Sequence, residues 1–369
     1  MISNLLEKAR WYSFRCQHLN QNSEDILHTL HHVIGIHSEH PTAPLSLLAR
    51  TKNFAAKKFF DLEDQHQILR LPAMRDHTHI FPNDTAHLPF TATEQFTKLP
   101  EYRHLLHNKL ITPEIYEQFK TRILDLTQKP ISTHDLRLAL DDPQAHIGTI
   151  VTTMFREGLL LQVVPHSLRA NTFRYVNTES WLGHPLPTTT TQAALQWLAT
   201  AYIHSYGPVR IADFQWWAGI SLERATQAFA TIDTISLHDP DLTDIYYLLP
   251  DAEETFYNIS PLPADTITLL PHNDCYLLGY PPDTPSRFVT PTVQKKLYDH
   301  RDQSHGAILV AGLVVASWSI RFTSGYHANV TITPFTPLPD YIQKTLVVRF
   351  SQLAKFLGAD TTSTEYQPI

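Results

Sequence analysis

Glycine, cysteine and long apolar runs are all scarce in this chain, and each scarcity excludes something. Only 11 of 369 residues are Gly, under half the usual share of about 7%, and none of them makes a G-x-G or a G-x-x-x-x-G-K. The loops with which Rossmann and P-loop enzymes cradle phosphate are therefore absent as sequence signals. The 2 cysteines, Cys16 and Cys275, stand far apart and form no C-x-x-C, which points to a reducing compartment without a disulfide framework. The most apolar stretch, Ile308–Ile320, is too short to span a bilayer and carries Gly312 in its middle. The first ten residues lack a signal-peptide apolar core, so the expected location is cytoplasmic.

An excess of positive charge is missing too. There are 36 acidic against 29 basic side chains, a formal charge of −7 with every His neutral, which argues against a uniformly basic coat for nucleic acid. However, the chain has 22 His. At an ordinary pKa near 6.5, about a quarter of them carry a proton at pH 7, adding roughly +5. Near pH 6 the balance turns positive, so only local charge decides. What is present is enough apolar material for ordinary cores, 43% of residues, in a length that suits two to four domains at about 100–200 residues each.

The main regularity is a unit that occurs three times with loose variation. In its clearest form a helix is predicted from Pro113 to Leu126. A short helix then starts after Ser132 or Thr133 as N-cap, with Asp135 in its first turn. A third spans about His146–Glu157 and ends at Gly158. Strands at Leu159–Val164 and Thr172–Val176 follow, separated by the polar loop Pro165–Asn171. Three helices and a β-hairpin make the helix-turn-helix-plus-wing pattern. A second copy has helices at Thr191–Tyr206, Ala212–Ala218 and Ser221–Thr231, with wing strands at Thr234–Leu237 and Ile245–Leu249. A more diffuse copy has helices at Leu5–Leu19, Ser23–Gly35 and Leu45–Phe60, and strands near Ile68–Leu71 and Thr78–Phe81. From about Leu262 the texture turns to strands: Ile267–Leu270, Tyr276–Leu278, a hairpin of Ile308–Val310 and Val314–Trp318, then His327–Thr333. A helix at Asp340–Leu357 closes this part, which reads as a small barrel or open sheet.

Several clusters could carry chemistry. His37 and Glu39 follow the helix-ending Gly35 and precede Pro41. In an extended segment residues two apart point the same way, so an imidazole and a carboxylate would share one surface. Such a pair suits hydrolysis, because one group orients a water while the other accepts its proton or balances charge on the substrate. A solvated helix-to-helix loop would carry the same letters. Arg50, Lys52, Lys57 and Lys58, with Arg70 and Arg75, could hold phosphates or form a solvated helix face. His77 and His79 have the strand spacing of a metal half-site, but no partner stands out and no metal is expected. Trp216 and Trp217 would stack on a base or anchor packing. His272, Asn273 and Asp274 read as a strand-ending turn.

Taken in order, these segments resemble the AlkZ/YcaQ-like winged-helix DNA glycosylases over almost the whole chain. Arg15-Cys16-Gln17-His18-Leu19 looks like that family's R-x-Q-x-L, and Ile34–Arg50 resembles its G-x-Q-x-Q/D-x-P…L-x-x-R segment. Met74-Arg75-Asp76-His77-Thr78-His79 is similar to its M-R-G-T-x-H strand, with Asp76 in place of Gly and one extra residue. Glu157-Gly158-Leu159-Leu160 matches E-G-L-L. Tyr206-Gly207-Pro208, Asp213-Phe214 and Trp217-Ala218-Gly219 resemble Y-G-P…D-F-x-x-W-x-G. Leu270–Asp274 with Leu277–Tyr280, and Gly312–Trp318, resemble L-P-x-x-D…L-L-G-Y and G-x-x-x-G-x-W.

The resemblance implies an α+β fold of tandem winged-helix domains forming a C-shaped scaffold with a β-rich C-terminal domain. The expected domains are residues 1–103, 104–186, 187–261 and 262–369. The implied activity is monofunctional hydrolysis of the N-glycosidic bond of N-alkylated purines, bulky adducts or crosslinks in double-stranded DNA, by a nucleoid-associated monomer without a cofactor, in repair or genotoxin self-resistance. The family's catalytic Q-x-Q or Q-x-D falls on His37-Ser38-Glu39. Glu39 and His37 are therefore the expected catalytic residues, and Arg50, Lys57, Lys58, Arg75 and His79 the expected DNA contacts. Two other classes fit some of the same residues: a non-catalytic tandem winged-helix regulator, and a metal hydrolase using the many His.

Overall fold

The computed structural model describes residues 4–19, 23–93, 107, 111–142, 146–170, 172–282, 287–299, 303–323 and 326–368. Several helices start where a short polar side chain can satisfy the first free amides. Thr112 caps α6 (Pro113–Leu126) below, Ser132 caps Thr133–Leu140 through the Asp135 N–H, and Thr190 and Ser221 do the same for Thr191–Tyr206 and Leu222–Phe229. These local signals are why the helix expectations agree closely with the structure.

The N-terminal part runs α1 (Asn4–Cys16), α2 (Ile26–Val33), β1 (Ile36–His37), α3 (Leu45–Leu48), α4 (Ala56–Asp64), β2 (Ile68–Pro72), β3 (Thr78–Pro82) and α5 (His87–Thr93). Next come α6, α7 (Thr133–Leu140), α8 (Ile147–Arg156), β4 (Leu160–Val163), β5 (Arg174–Asn177) and the short α9 (Thr178–Leu182). The helices α10 (Thr191–Tyr206), α11 (Ile211–Ala218) and α12 (Leu222–Phe229) lead to the hairpin β6 (Ile235–Leu237) and β7 (Tyr246–Leu248), then α13 (Glu253–Tyr257). The chain ends with β8 (Ile267–Leu270), α14 (Pro291–Leu297), β9 (Gly306–Val310), β10 (Leu313–Thr323), β11 (His327–Pro334), α15 (Asp340–Phe356) and β12 (Thr361–Tyr366). The fold is α+β.

One five-stranded sheet has the order β1-β3-β2-β4-β5, so the second hairpin is joined to the first through Arg70 opposite Gln162. Another has the order β12-β11-β10-β9-β8, an open sheet in which only the β11–β12 pair is parallel. The largest core draws residues from Phe14 to Phe335, with Tyr202, Tyr206, Phe214 and Trp217 at its centre. No helix among the described residues is long and apolar enough to cross a membrane.

Two expected elements differ. The helix foreseen over Leu45–Phe60 is broken, because residues 50–52 turn their backbone away. The Arg50 carbonyl accepts from the Ser23 N–H at 2.6 Å, and the Lys52 N–H reaches the Ser23 carbonyl at 2.7 Å. The strand foreseen at Tyr276–Leu278 is a tight turn, since Asp274 takes the Tyr276 N–H on its carboxylate at 2.9 Å and the Leu278 N–H on its carbonyl at 3.0 Å. β1 and β12 were not foreseen. The expected boundary at 103/104 and residue 171 of the expected wing loop lie outside the described residues.

Candidate active site

The site forms where β1 meets β3. Antiparallel pairing sets Ile36 opposite Ile80 and His37 opposite His79, and the Ser38 N–H continues the ladder to the Thr78 carbonyl at 2.8 Å. The same register carries Glu39 beside His77. The Glu39 carboxylate accepts from His77 Nδ1 at 3.0 Å and from the Thr78 N–H at 3.3 Å. His37 Nε2 stands 3.7 Å from its other oxygen. Gly35 lets the chain enter this corner: its φ is +77°, and a Cβ would sit 2.5 Å from the Phe81 ring.

Exposure divides the pair. The His37 side chain is 3% exposed and that of Glu39 40%, so the carboxylate faces outward with the imidazole sealed behind it. Neither ring nitrogen of His37 has a hydrogen-bond partner among the described residues. The ring borders a cavity of about 20 Å³ shared with Met74, His77, His79 and Trp217, room for a single water. Glu39 borders a larger cavity of about 250 Å³, walled by Ser38, Phe59, Arg70, Gln162 and Phe173.

Burial holds the His37 imidazole well below its ordinary value; His79 and His77 push the same way, against Glu39. Burial pushes the Glu39 carboxyl up, but the His77 hydrogen bond and charge, the His37 charge and the Thr78 N–H together outweigh it and hold the group at about 2. His79 is pushed down to about 4, chiefly by burial and then by His77. At pH 7 the site therefore presents an ionised carboxylate beside two neutral imidazoles, His37 and His79.

The turn between β2 and β3 frames the site from below. Arg75 and Asp76 both adopt left-handed backbone, with φ 55° and 65°, a conformation that disfavours side chains. Asp76 stands where the resembling motif has Gly, and its carboxylate accepts from Arg156 Nη2 at 2.6 Å, tying the turn to α8. The Arg75 guanidinium lies 4.0 Å from the Trp216 ring centroid. Gly219, with φ +70°, permits this approach, because a Cβ would meet the Arg75 backbone at 2.9 Å. Trp217 instead stacks on Tyr202 at 4.7 Å as a packing anchor.

Of the expected site residues, the structure brings His37 and Glu39 together and leaves Lys57 and Lys58 exposed at the start of α4. Lys57 also pairs with Asp61 at 2.7 Å. Arg75 is half-buried on the turn. Two expectations are corrected. Arg50 is fully buried, giving Asp274 two hydrogen bonds at 2.7 and 2.8 Å and the Ser46 carbonyl a third at 2.8 Å, so it faces no phosphate. His79 is buried against Phe81, with Nδ1–H donated to the His77 carbonyl at 2.9 Å, and it too is withdrawn from the surface. His77 and His79 form no half-site of their own. Instead His77 joins His37 and Glu39, and the ligand-capable atoms of these three lie within 4.8 Å of one another.

The residue that sequence reasoning missed is His77 as the partner of Glu39. The signal was the antiparallel facing of His37-x-Glu39 and His77-x-His79, legible only once β1 is recognised as a strand.

No curated protein matches the chain. Among solved structures it is similar to the Streptomyces sahachiroi DNA glycosylase AlkZ, at 15% identity and a TM-score of 0.77, with 100% of each chain covered. That likeness concerns the fold. The model of the AlkZ-like family, described as DNA glycosylase AlkZ-like, matches residues 30–356, a span holding every residue of the site. The chain belongs to the AlkZ-like DNA glycosylase family.

Proposed function

We propose that this chain is a monofunctional DNA glycosylase that hydrolyses the N-glycosidic bond of N-alkylated purines in double-stranded DNA. The observation that carries this reading is the ionised, outward-facing Glu39 backed by the buried, unpartnered ring of His37. Alkylation at N7 of guanine or N3 of adenine makes the base a cation, which departs without prior protonation. Positive charge then grows on the sugar as the bond lengthens, and a fixed carboxylate stabilises it. A group held at about 2 is a weak proton acceptor, so Glu39 serves chiefly as the counter-charge. His37, neutral and sealed, is suited to accept a hydrogen bond from the attacking water. The glycosidic electron pair leaves with the base, neutralising it, and the water's proton passes to solvent as its oxygen bonds the sugar. No lysine nucleophile takes part, so no lyase step is expected.

In this reading Lys57, Lys58 and Arg75 hold phosphates, and affinity falls as salt rises. The two complete helix–helix–helix–hairpin runs, α6 to β5 and α10 to β7, support winged helices at 104–186 and 187–261. We place a third at 1–103 and the β-rich part at 262–369, on a C-shaped monomeric scaffold. Bulky adducts and crosslinks are the next substrates to try.

The test is single-turnover release of N7-alkylguanine from alkylated duplex DNA. Wild type should release the base, and Glu39→Ala should lose about 100- to 1000-fold, as when a transition-state charge partner is removed. His37→Ala should lose rate as well. Release that survives both substitutions would put the site elsewhere, and tight binding to one intact sequence without release would make the protein a regulator. One observation favours a second reading: His37, Glu39 and His77 are a donor set for a transition metal, which would activate the water. Base release abolished by a chelator and restored by Zn²⁺ would select it.

A further inference from the structure

Apart from the active site, a second group of histidines gathers along one face of α2. His18 follows the end of α1, and His28 and His32 lie one turn apart on α2, so they share a face. Their ligand-capable nitrogens all lie within 4.8 Å of one another. The ring centroids are separated by 5.3 Å for His18–His28, 4.7 Å for His18–His32 and 4.1 Å for His28–His32. His204, on α10, adds a fourth imidazole 5.8 Å from His32.

The hydrogen bonds around the cluster fix which nitrogens are available. His32 Nδ1 donates to the His28 carbonyl at 2.9 Å, which leaves Nε2 with its lone pair. The Ser23 hydroxyl donates to the Asp25 carbonyl at 3.1 Å, so it accepts from His28 Nδ1 at 3.1 Å, and His28 Nε2 is likewise a lone-pair donor. A hydrogen-bonding neighbour holding the outer nitrogen is how metal-binding imidazoles are oriented. Imidazole nitrogens gathered in this way favour zinc-class ions. Metal–nitrogen bonds of about 2.0–2.1 Å set tetrahedral nitrogens roughly 3.4 Å apart, which small ring rotations achieve.

We infer that His18, His28 and His32, with His204 as the nearest fourth ligand, bind one divalent transition-metal ion of the zinc class. The site is separate from Glu39 and does not depend on the proposed reaction. Such an ion would clamp the end of α1 to α2, the helix that leads through Ile34 and Gly35 into the strand carrying His37.

The test uses the full chain, stripped with a chelator and titrated with Zn²⁺ and then Co²⁺. One equivalent should bind, with the visible bands of a tetrahedral Co²⁺ site and a higher Tm. That equivalent should disappear in His28→Ala/His32→Ala and persist in His77→Ala. Ser23→Ala, which removes only the hydroxyl that orients His28, should weaken it by about 10- to 100-fold and keeps the assignment testable if the double variant does not fold. The inference is overturned if no stoichiometric ion binds, or if the bound equivalent survives loss of His28 and His32 and disappears in His77→Ala.

Discussion

At the scale of single residues, the decisive contact is the one between His77 and Glu39. A hydrogen bond to a charged group contributes about 1.5–3 kcal/mol, and here it is the first of the causes that hold a carboxylate at about 2 against burial. Removing the donor in His77→Ala should slow single-turnover base release by about 10- to 100-fold. It should also move the acid limb of the rate profile upward, towards the ordinary carboxylate range, as stopped time courses across pH would report. His37 gives the opposite expectation. Burial holds its pKa well below the ordinary value, so it is neutral at neutral pH and has no proton to lose there. The profile of His37→Ala should be lower than that of wild type but keep its shape; a midpoint that vanishes with His37 would refute the neutral-ring assignment. The sequence made His37 and Glu39 legible because they are two residues apart. It hid His77, 38 positions away from Glu39, because strand register is a long-range property.

At the scale of elements, the same division between local and distant causes recurs. Helices capped by Ser132, Thr190 and Ser221 were legible from neighbouring letters. The two-residue β1 was not, since nothing within it makes it a strand apart from its pairing with β3. The break between α3 and α4 likewise depends on a distant partner, the backbone of Ser23, and beside it Arg50 reaches Asp274, 224 residues away. Both residues sat in resembling motifs, yet the letters do not say that they meet. A buried pair that loses one member leaves an uncompensated charge, at a cost of about 3–5 kcal/mol. Arg50→Ala should therefore lower the urea midpoint severely. Arg50→Met combined with Asp274→Asn should recover much of that loss, because the amide oxygen still accepts from the Tyr276 N–H. Failure of the pair to recover would mean that Arg50 also has a role outside the core.

At the scale of the whole molecule, 22 histidines suggested a protein that simply gains charge as the medium turns acidic. Burial changes that expectation, because some of the rings refuse the proton. His79 is pushed down to about 4 and His37 well below 6.5, whereas in the unfolded chain both return to about 6.5. Below that pH the unfolded state takes protons that the folded state does not, so stability falls as pH falls. The contribution is fully present above 6.5 and is lost progressively down to the folded value, about 4 for His79. Glu39, held at about 2, adds a later loss that begins in the ordinary carboxylate range and runs down towards that value. Each buried neutral ring contributes a slope of up to about 1.4 kcal/mol per pH unit. Two of them acting together are a large share of a net stability of about 5–15 kcal/mol. Urea midpoints should therefore drop steadily from pH 6.5 to pH 4.5, and a His79→Phe variant should show a shallower drop by one ring's share. A midpoint that stays level over that range would mean that water reaches these rings, and the sealed pocket behind Glu39 would have to be abandoned with it.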